Sequence, residues 1–248
     1  MRDGLRTAIV AACACAGLLA AAPGASAEVT ASFDSRLLAI TGGNGGERLK
    51  VVCDRDGLTK VNGRNPKGGP VPCAKVAEIN AEVGGGDDVV DFSGVTGAFG
   101  EARFPGFGVG TGALAIGGEG NDRFIGGPGA FNAFFGEGGD DRGRGGPARD
   151  VLSGGPGNDK LNGARGRDSL LGNAGSDRLV GGPAADVLTG HAGDDLLAGS
   201  AGDDVIGGGA GRDRLRGGPG RDRLVGGPGK DDLRGGPGDD TEIEKNAS

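Results

Sequence analysis

Large aliphatic side chains recur at every ninth position through the second half of the chain. From Gly136 to Ile243 the sequence divides into twelve consecutive nine-residue units without an insertion, and the eighth position is Leu or Ile in ten of them. The exceptions are Gly143 and Glu242, in the first and last units. The seventh and ninth positions are mostly Arg, Lys, Ser, Asn or Thr, with some Val. Because side chains alternate between the faces of a strand, this pattern predicts a short strand at positions seven to nine, with the eighth residue pointing inward.

Glycine and aspartate fill the other fixed positions of each unit. The first position is Gly and the sixth is Asp in all twelve units, and the fourth is Gly in ten, with Ala148 and Ala184 as the departures. Glycine tolerates a positive φ, so positions one to six are predicted to form a tight turn whose carbonyls bend inward. Alanine resists a positive φ, which puts the turns at Ala148 and Ala184 in question. Strand and turn then alternate in a flattened coil of about 18 residues per circuit, with two thin sheets facing each other.

Such a coil has a thin core. Each unit offers essentially one inward aliphatic side chain, whereas ordering a glycine-rich backbone costs much conformational entropy. A ligand that binds only the folded form must therefore add free energy. Turns 18 residues apart lie one above the other, so that two Asp carboxylates converge with turn carbonyls in an all-oxygen cage. A flexible cage of six to eight oxygens suits calcium over magnesium.

One unit, Gly154-Gly155-Pro156-Gly157-Asn158-Asp159-Lys160-Leu161-Asn162, matches the nonapeptide G-G-x-G-x-D-x-U-x in full. The array resembles the RTX, or haemolysin-type calcium-binding, repeat family. The resemblance implies an all-β fold, a right-handed parallel β-roll or β-solenoid, in which the Asp of one turn and the Asp two units on share a calcium ion with backbone carbonyls. Twelve units allow ten such pairs. One edge of the roll would carry Asp141, Asp159, Asp177, Asp195, Asp213 and Asp231, and the other would carry Asp150, Asp168, Asp186, Asp204, Asp222 and Asp240.

Weaker copies of the unit precede the array. The segment from Gly117 to Ile125 is a full match and adds Asp122 to the expected metal ligands. The next unit carries Phe131 where Asp belongs and is one residue too long, so ligation there is doubtful. Two earlier segments fit with Asp88 and Glu47 in sixth place. The predicted organisation is a degenerate β-solenoid and cap over residues 28–116, a calcium-binding β-roll over 117–243 and a polar tail over 244–248.

Residues 1–27 have the pattern of a secretory signal peptide. Arg2 and Arg6 precede an apolar stretch, and Ala25-Ser26-Ala27 forms a small-residue cleavage site before Glu28. We therefore expect a secreted, extracellular protein. The apolar stretch is Ala-rich and short for a membrane span, and no other segment is apolar enough to cross a membrane.

Two cysteines follow the signal peptide, Cys53 and Cys73. Export is the setting in which a disulfide persists, so a bridge between them is predicted, with two free thiols as the alternative. Their spacing excludes a catalytic C-x-x-C motif.

Composition and charge narrow the function. The chain of 248 residues has 59 Gly, 12 Pro and neither Trp nor Tyr, which argues against an ordinary close-packed enzyme domain. The net charge is −7, and this excess of acidic groups suits the binding of a cation. No Lys/Arg-rich run interleaved with aromatics is present, so we expect no nucleic-acid partner.

Catalytic motifs are not found. His191 is the only histidine, so an H-E-x-x-H zinc site is excluded, and it occupies a turn position inside the array. We therefore expect a secreted calcium-binding protein, not an enzyme, that binds multiple Ca²⁺ ions and folds on export. The alternatives are a calcium-stiffened cell-surface adhesin or spacer with a surface or matrix partner, and a β-helix enzyme with a site in residues 28–116, using Asp87 or Asp88. A disordered linker and an ion-independent solenoid also stay open.

Overall fold

The computed structural model describes residues 29–34, 36–95, 102–104, 108–128 and 130–244. The expected signal peptide, residues 1–27, lies outside these described residues. The fold is all-β, with 2% helix, and is a parallel stacked β-solenoid, as the sequence predicts. Within the described ranges no helix has the length and apolar character that a membrane span requires.

The strands before the array are longer and less regular than those within it. They are β1 (Thr30–Asp34), β2 (Leu37–Thr41), β3 (Arg48–Cys53), β4 (Thr59–Val61), β5 (Glu78–Glu82), β6 (Val89–Gly94), β7 (Ala102–Phe104), β8 (Gly108–Glu119), β9 (Arg123–Ile125) and β10 (Ala130–Gly138).

The array contributes twelve further strands. They are β11 (Arg142–Arg144), β12 (Val151–Pro156), β13 (Lys160–Asn162), β14 (Ser169–Ala174), β15 (Arg178–Pro183), β16 (Val187–Ala192), β17 (Leu196–Ala201), β18 (Val205–Ala210), β19 (Arg214–Arg216), β20 (Arg223–Val225), β21 (Asp232–Arg234) and β22 (Thr241–Ile243).

From β8 onward successive strands alternate between two sheets, and each pairs in parallel with the strand one circuit away. Sheet one has the order β1-β2-β5-β8-β10-β12-β14-β16-β18-β20-β22, with β7 antiparallel to β8. Sheet two has the order β4-β3-β6-β9-β11-β13-β15-β17-β19-β21. In the array the register joins residues 18 apart, as in the pair Leu152 and Leu170. Identical unit lengths fix this register, because any slip would move the inward side chain to the other face.

Several strands run further than the hydrophobic pattern predicts. In β16, pairing continues past position nine into positions one to three of the next unit, through His191 and Ala192, which pair with Asn173 and Ala174. The expectation of a turn over positions one to six is therefore wrong for these units. Backbone pairing needs no side chain, so the glycine-rich segment continues the ladder through a left-handed residue at position two, such as His191 with φ of 87°, to the left-handed residue at position four. His191 consequently lies half-buried in a strand and not in an exposed turn.

The core is a double row of aliphatic side chains between the sheets. The eighth-position residues from Leu152 to Leu224 are essentially buried, whereas Leu233 near the end is partly buried. Gly143, which interrupts the row, has its space filled by a neighbour: a Cβ there would lie 2.9 Å from the ring of Phe134. Phe134 stacks on Phe124 at a centroid separation of 5.1 Å, and Phe124 meets Phe92 edge to face at 5.7 Å.

The N-terminal end departs from a simple parallel coil. There β1 pairs antiparallel with β2, and β3 pairs antiparallel with β4. Cys53 and Cys73 form the expected disulfide, with Cα atoms 5.9 Å apart, which joins the end of β3 to a 3₁₀ turn at Cys73–Lys75. The bridge holds the loop that separates β4 from β5.

Candidate metal centre

The sixth-position aspartates form two straight rows, one along each edge of the roll. We call them the first carboxylate file (Asp122, Asp141, Asp159, Asp177, Asp195, Asp213 and Asp231) and the second carboxylate file (Asp150, Asp168, Asp186, Asp204, Asp222 and Asp240). From Asp122 to Asp222 every member is at most 3% exposed, whereas Asp231 and Asp240, at the C-terminal end, are half-buried. Buried carboxylates at this density need partners, because an unpaired buried charge is strongly unfavourable.

One oxygen of each carboxylate has a partner in the fold. The Oδ1 of Asp159 accepts a hydrogen bond from the backbone N–H of Asp141 at 2.8 Å, and the Oδ1 of Asp177 accepts one from Asp159 at 2.8 Å. The same bond recurs along both files and reaches Asp231 and Asp240. These bonds fix each carboxylate so that its second oxygen points into the turn.

In ten of the thirteen file members the second oxygen is buried and has no hydrogen-bond partner. The Oδ2 atoms of Asp122, Asp141, Asp159, Asp168, Asp177, Asp186, Asp195, Asp204, Asp213 and Asp222 are all buried and unpaired. Each points toward the first-position glycine of its own unit: a Cβ added at Gly136 would overlap Oδ2 of Asp141 and lie 2.8 Å from the carbonyl oxygen of Gly154, one circuit on. A carboxylate oxygen and a carbonyl oxygen therefore converge on one small space, which repeats along the roll.

This space explains the invariant glycine at position one. Gly136 and its equivalents do not have a left-handed φ, so conformational freedom is not the reason for glycine there. Positions two and four are the left-handed positions of most units, as at Gly155 with φ of 135° and Gly157 with φ of 144°. The sequence pattern shows both glycines but not that they serve different purposes.

Burial raises the pKa of the file carboxylates from Asp122 to Asp222 above the ordinary value. The pKa rises to about 7 for Asp141 and about 8 for Asp168, chiefly through desolvation, and backbone hydrogen bonds oppose the rise only in part. Neighbouring carboxylates one circuit away raise both values further. Without a cation, the files thus disfavour their own ionised state.

The two alanine departures behave differently. Ala184 keeps the left-handed backbone, with φ of 123°, and Asp186 keeps its unpaired Oδ2. At Ala148 the backbone is not left-handed, and the Oδ2 of Asp150 accepts a hydrogen bond from the N–H of Gly146 at 2.6 Å. The doubt raised by the sequence therefore applies to the turn at Ala148, whereas the fold accepts the strain at Ala184.

An asparagine closes the N-terminal end of the second file. The extra residue in the unit from Gly126 brings Asn132, and not Phe131, into the sixth position, where it is fully buried. The Nδ2 of Asn132 donates to Oδ1 of Asp150 at 2.8 Å, and the Oδ1 of Asn132 accepts from the N–H of Gly127 at 2.9 Å. A Cβ at Gly126 would lie 2.9 Å from this amide, so the amide occupies the space that is open in the array.

The first file extends beyond the predicted ligands. The backbone N–H of Asp88 donates to Oδ1 of Asp122 at 2.8 Å, and that of Glu47 donates to Oδ1 of Asp88 at 2.5 Å. Burial, together with the adjacent Glu47 carboxyl group, raises the pKa of Asp88 to about 8. The weak repeats in the sequence signal these two residues, although neither belongs to the predicted ligand set.

The donor set fits a hard divalent cation. Among the described residues no three His, Cys, Asp or Glu side chains gather as a metal cluster, so carboxylate pairs must be completed by backbone carbonyls. Carboxylate and carbonyl oxygens are the ligands that calcium prefers, and calcium accepts irregular cages. The fold and its files together define a cation-binding β-roll.

Comparison with known proteins identifies the family. The RTX calcium-binding nonapeptide repeat matches residues 114–130, 135–170, 171–206 and 207–242, half of the chain. The chain belongs to this family, and its repeats are calcium-binding repeats. Rolls of this family are typically structural and calcium-binding rather than enzymatic. No curated protein matches the chain significantly.

Proposed function

We propose that the chain is a secreted calcium-binding protein without catalytic activity, which binds several Ca²⁺ ions between stacked turns and folds as it binds them. The observation that carries this proposal is the repeated buried Oδ2 atom without a partner, beside a carbonyl oxygen of the next circuit. A calcium ion at that point satisfies both oxygens and neutralises two carboxylates.

The proposed ligands are the thirteen members of the two carboxylate files. Each ion lies between the Asp of one turn and the Asp one circuit on, so that an interior Asp contributes to two sites. The turn at Ala148 and the half-buried Asp231 and Asp240 make the ends of the files the weakest positions. Carbonyl oxygens of first-position glycines complete the cages.

Coupling between binding and folding follows from the electrostatics. The ion-free files hold like charges one circuit apart in a buried setting, which opposes folding. An ion that binds only the folded state adds about 1.4 kcal/mol per site when calcium is at about ten times Kd. Extracellular calcium modules bind at about 10⁻⁴–10⁻³ M, so the chain stays unfolded at cytosolic calcium and folds outside the cell.

Export through an N-terminal signal peptide over residues 1–27 agrees with this coupling and with the Cys53–Cys73 disulfide. The remaining chain divides in our proposal into a degenerate solenoid and cap over 28–116, the calcium-binding roll over 117–243 and a polar tail over 244–248. Parallel pairing from β2 to β22 supports one continuous solenoid.

A calcium-stiffened spacer at the cell surface is the second candidate. Two sheets run the length of the described solenoid, which suits an extended rod. For an enzyme in residues 28–116, the structure offers a cleft of about 660 Å³ beside β1, lined by Glu47, Arg48, Arg64 and Lys67 among others. Glu47 is the one carboxylate in that lining, so this cleft does not present the carboxylate pair that a glycosidase requires.

Neighbouring aspartates provide a matched test. Asp195 is a buried file member, whereas Asp194 is exposed and accepts a hydrogen bond from the N–H of Arg212. Asp195→Asn is expected to remove about two ions, those shared with Asp177 and Asp213, in a calorimetric calcium titration. Asp194→Asn should leave the stoichiometry unchanged. Equal stoichiometry in both variants would contradict the ligand assignment.

A further inference from the structure

Glu47 and Asp88 lie outside the matched repeats, and both carry a buried carboxylate oxygen with no partner. Glu47 is 4% and Asp88 1% exposed, and their Oε2 and Oδ2 atoms form no hydrogen bond. The Oε1 of Glu47 accepts only a long bond, 3.4 Å, from the N–H of Gly43. The backbone N–H of Glu47 donates to Oδ1 of Asp88, so the two buried carboxyl groups lie on stacked turns.

The open space beside the first position of an array unit is also present beside Glu47, but not beside Asp88. Gly42 stands at position one of its unit, and a Cβ there would lie 2.8 Å from the carbonyl oxygen of Val83, one circuit on. In the next unit position one is Val83 itself, whose side chain is buried. The space beside Gly42 is thus open, whereas between Asp88 and Asp122 the corresponding space holds the Val83 side chain.

From this geometry we infer that Glu47, Asp88 and the Val83 carbonyl hold one further divalent cation, calcium, at the N-terminal end of the first file. It rests on the proposed function, since the ion is the same. The site ties the start of β3 to the start of β6. The longer Glu side chain reaches the ion from a turn that lacks the Asp of the array.

Glu47→Gln tests the site without disturbing its shape. The Asn132–Asp150 pair shows that this fold accepts an amide beside a file carboxylate. The variant is therefore expected to fold in calcium and to bind one ion fewer than the full wild-type chain. In chelator it should melt at the same temperature or higher, because one of two buried charges is removed. The control is Glu82→Gln, on an exposed position of β5.

Unchanged stoichiometry in Glu47→Gln, with array ions still bound, would overturn this inference and leave the proposed function standing. A wild-type chain that binds no calcium would overturn both. If Glu47→Gln fails to fold, Asp88→Asn and Gly42→Ala test the same site, since each should bind one calcium ion fewer than the wild-type chain. The wild-type number of bound ions in either variant would also refute the site.

Four basic side chains form a row on the outer face of sheet two. Arg123, Arg142, Lys160 and Arg178 occupy directly paired positions on β9, β11, β13 and β15. All four are exposed, and none forms an ion pair with a described acidic residue. Exposed cations flank this basic ladder on the same face: Arg144, Arg214 and Arg216.

Within the array, sheet one shares this charge only at Arg223, on β20. Its equivalent positions on β12, β14, β16 and β18 are Val151, Ser169, Val187 and Val205. Strands lie about 4.8 Å apart, so the ladder places four like charges in a line about 14 Å long. Like charges directly opposite each other destabilise a sheet, which makes this arrangement costly without an external anion.

We propose that the basic ladder binds a linear acidic polysaccharide, with its carboxylates along the line of cations. Thirteen of the 34 acidic residues lie in the two files, where bound calcium neutralises them, and the 27 Lys and Arg outnumber the rest. The described ladder strands present no exposed aromatic ring, since Phe124 points inward. A flat face without stacking platforms favours a carboxylated glycan over single-stranded nucleic acid.

Charge-matched double variants of the full chain test this surface. Binding to short oligogalacturonates would be measured by calorimetry in calcium, with neutral dextran oligomers as a probe control. Arg142→Gln with Lys160→Gln should weaken binding at least about tenfold, about 1.4 kcal/mol. Arg165→Gln with Arg167→Gln removes the same charge from an exposed turn and should leave affinity within about twofold.

Equal losses in both double variants, or no binding by the calcium-loaded wild-type chain, would overturn the proposal. Tighter binding of a single-stranded or duplex DNA probe, lost in the ladder variant, would overturn it in favour of a nucleic-acid surface. Binding only to vesicles with anionic headgroups would likewise contradict the proposal that the ligand is a polysaccharide.

Discussion

Adjacent glycines in β18 allow the proposed ion space to be tested by adding one methyl group. A Cβ at Gly208 would overlap Oδ2 of Asp213 and lie 2.7 Å from the carbonyl oxygen of Gly226. A Cβ at Gly207 would have no heavy atom within 4 Å. Neither residue has a left-handed φ, so Ala is free of backbone strain at both. Gly208→Ala should therefore block one site, and Gly207→Ala should block none.

The expected difference in stability between the two variants is about 1.4 kcal/mol. It is the loss of one site when calcium is at about ten times Kd. Each Gly→Ala change also lowers the entropy of the unfolded chain and stabilises by about 0.4–1 kcal/mol, a gain that both variants share and that cancels from the difference. For a chain of this size, about 1.4 kcal/mol corresponds to about 3–6 °C in the thermal midpoint.

Thermal unfolding by far-UV circular dichroism in saturating calcium measures the midpoint, and calorimetry counts the ions. Gly208→Ala should bind one ion fewer and melt below wild type, whereas Gly207→Ala should bind the wild-type number and melt at the same temperature or higher. If both variants bind equally many ions and melt together, the space beside position one is not the ion site.

Four further results are expected. Asn132→Asp should destabilise the chain in chelator and add one bound calcium ion by calorimetry. An unchanged number of bound ions would contradict the interpretation that the Asn132 amide occupies an ion site. Leu188→Ala should cost about 2–5 kcal/mol in denaturant unfolding, because the side chain is 1% exposed; a change under about 1 kcal/mol would refute a single tight core. In chelator, the content of β structure should increase as the pH falls from about 8 to about 5, because the pKa of Asp168 is raised to about 8 in the folded state, so the native state binds more protons than the unfolded chain. Calcium affinity should fall over the same pH range. A calcium-free chain with most β structure at about pH 8 would contradict this direction of the pH dependence. Reduction of the Cys53–Cys73 bridge should cost about 3 kcal/mol, measured by melting with and without reductant, and coincident curves would contradict it.

The strict array could be predicted because every unit has the same length. With no insertion from Gly136 to Ile243, the eighth residue of each unit falls on the same face and each Asp stacks on the Asp one circuit away. The inward Leu residues, the two sheets and both files follow from that equality. The antiparallel pairs β1–β2 and β3–β4 at the N-terminal end were not predictable from the repeat, because they depend on tertiary contacts.

Irregular units were harder to predict, since one inserted residue moves a ligand. In sequence, Phe131 occupies the sixth place, whereas the fold selects Asn132 because the following strand must keep Phe134 in the core. Similarly, Ala148 and Ala184 look equivalent in sequence, yet only the turn at Ala148 changes its backbone. The basic ladder escapes a search for basic runs because its residues lie about 18 positions apart.

The most direct test of calcium-coupled folding is a far-UV circular dichroism titration of the chain without residues 1–27, from chelator to about 10 mM calcium, with magnesium as the control. The absence of Trp and Tyr makes backbone dichroism the suitable signal. We expect a cooperative change from coil to β structure near millimolar calcium that magnesium does not reproduce. A spectrum already fully β in chelator, or still coil at saturating calcium, would contradict it.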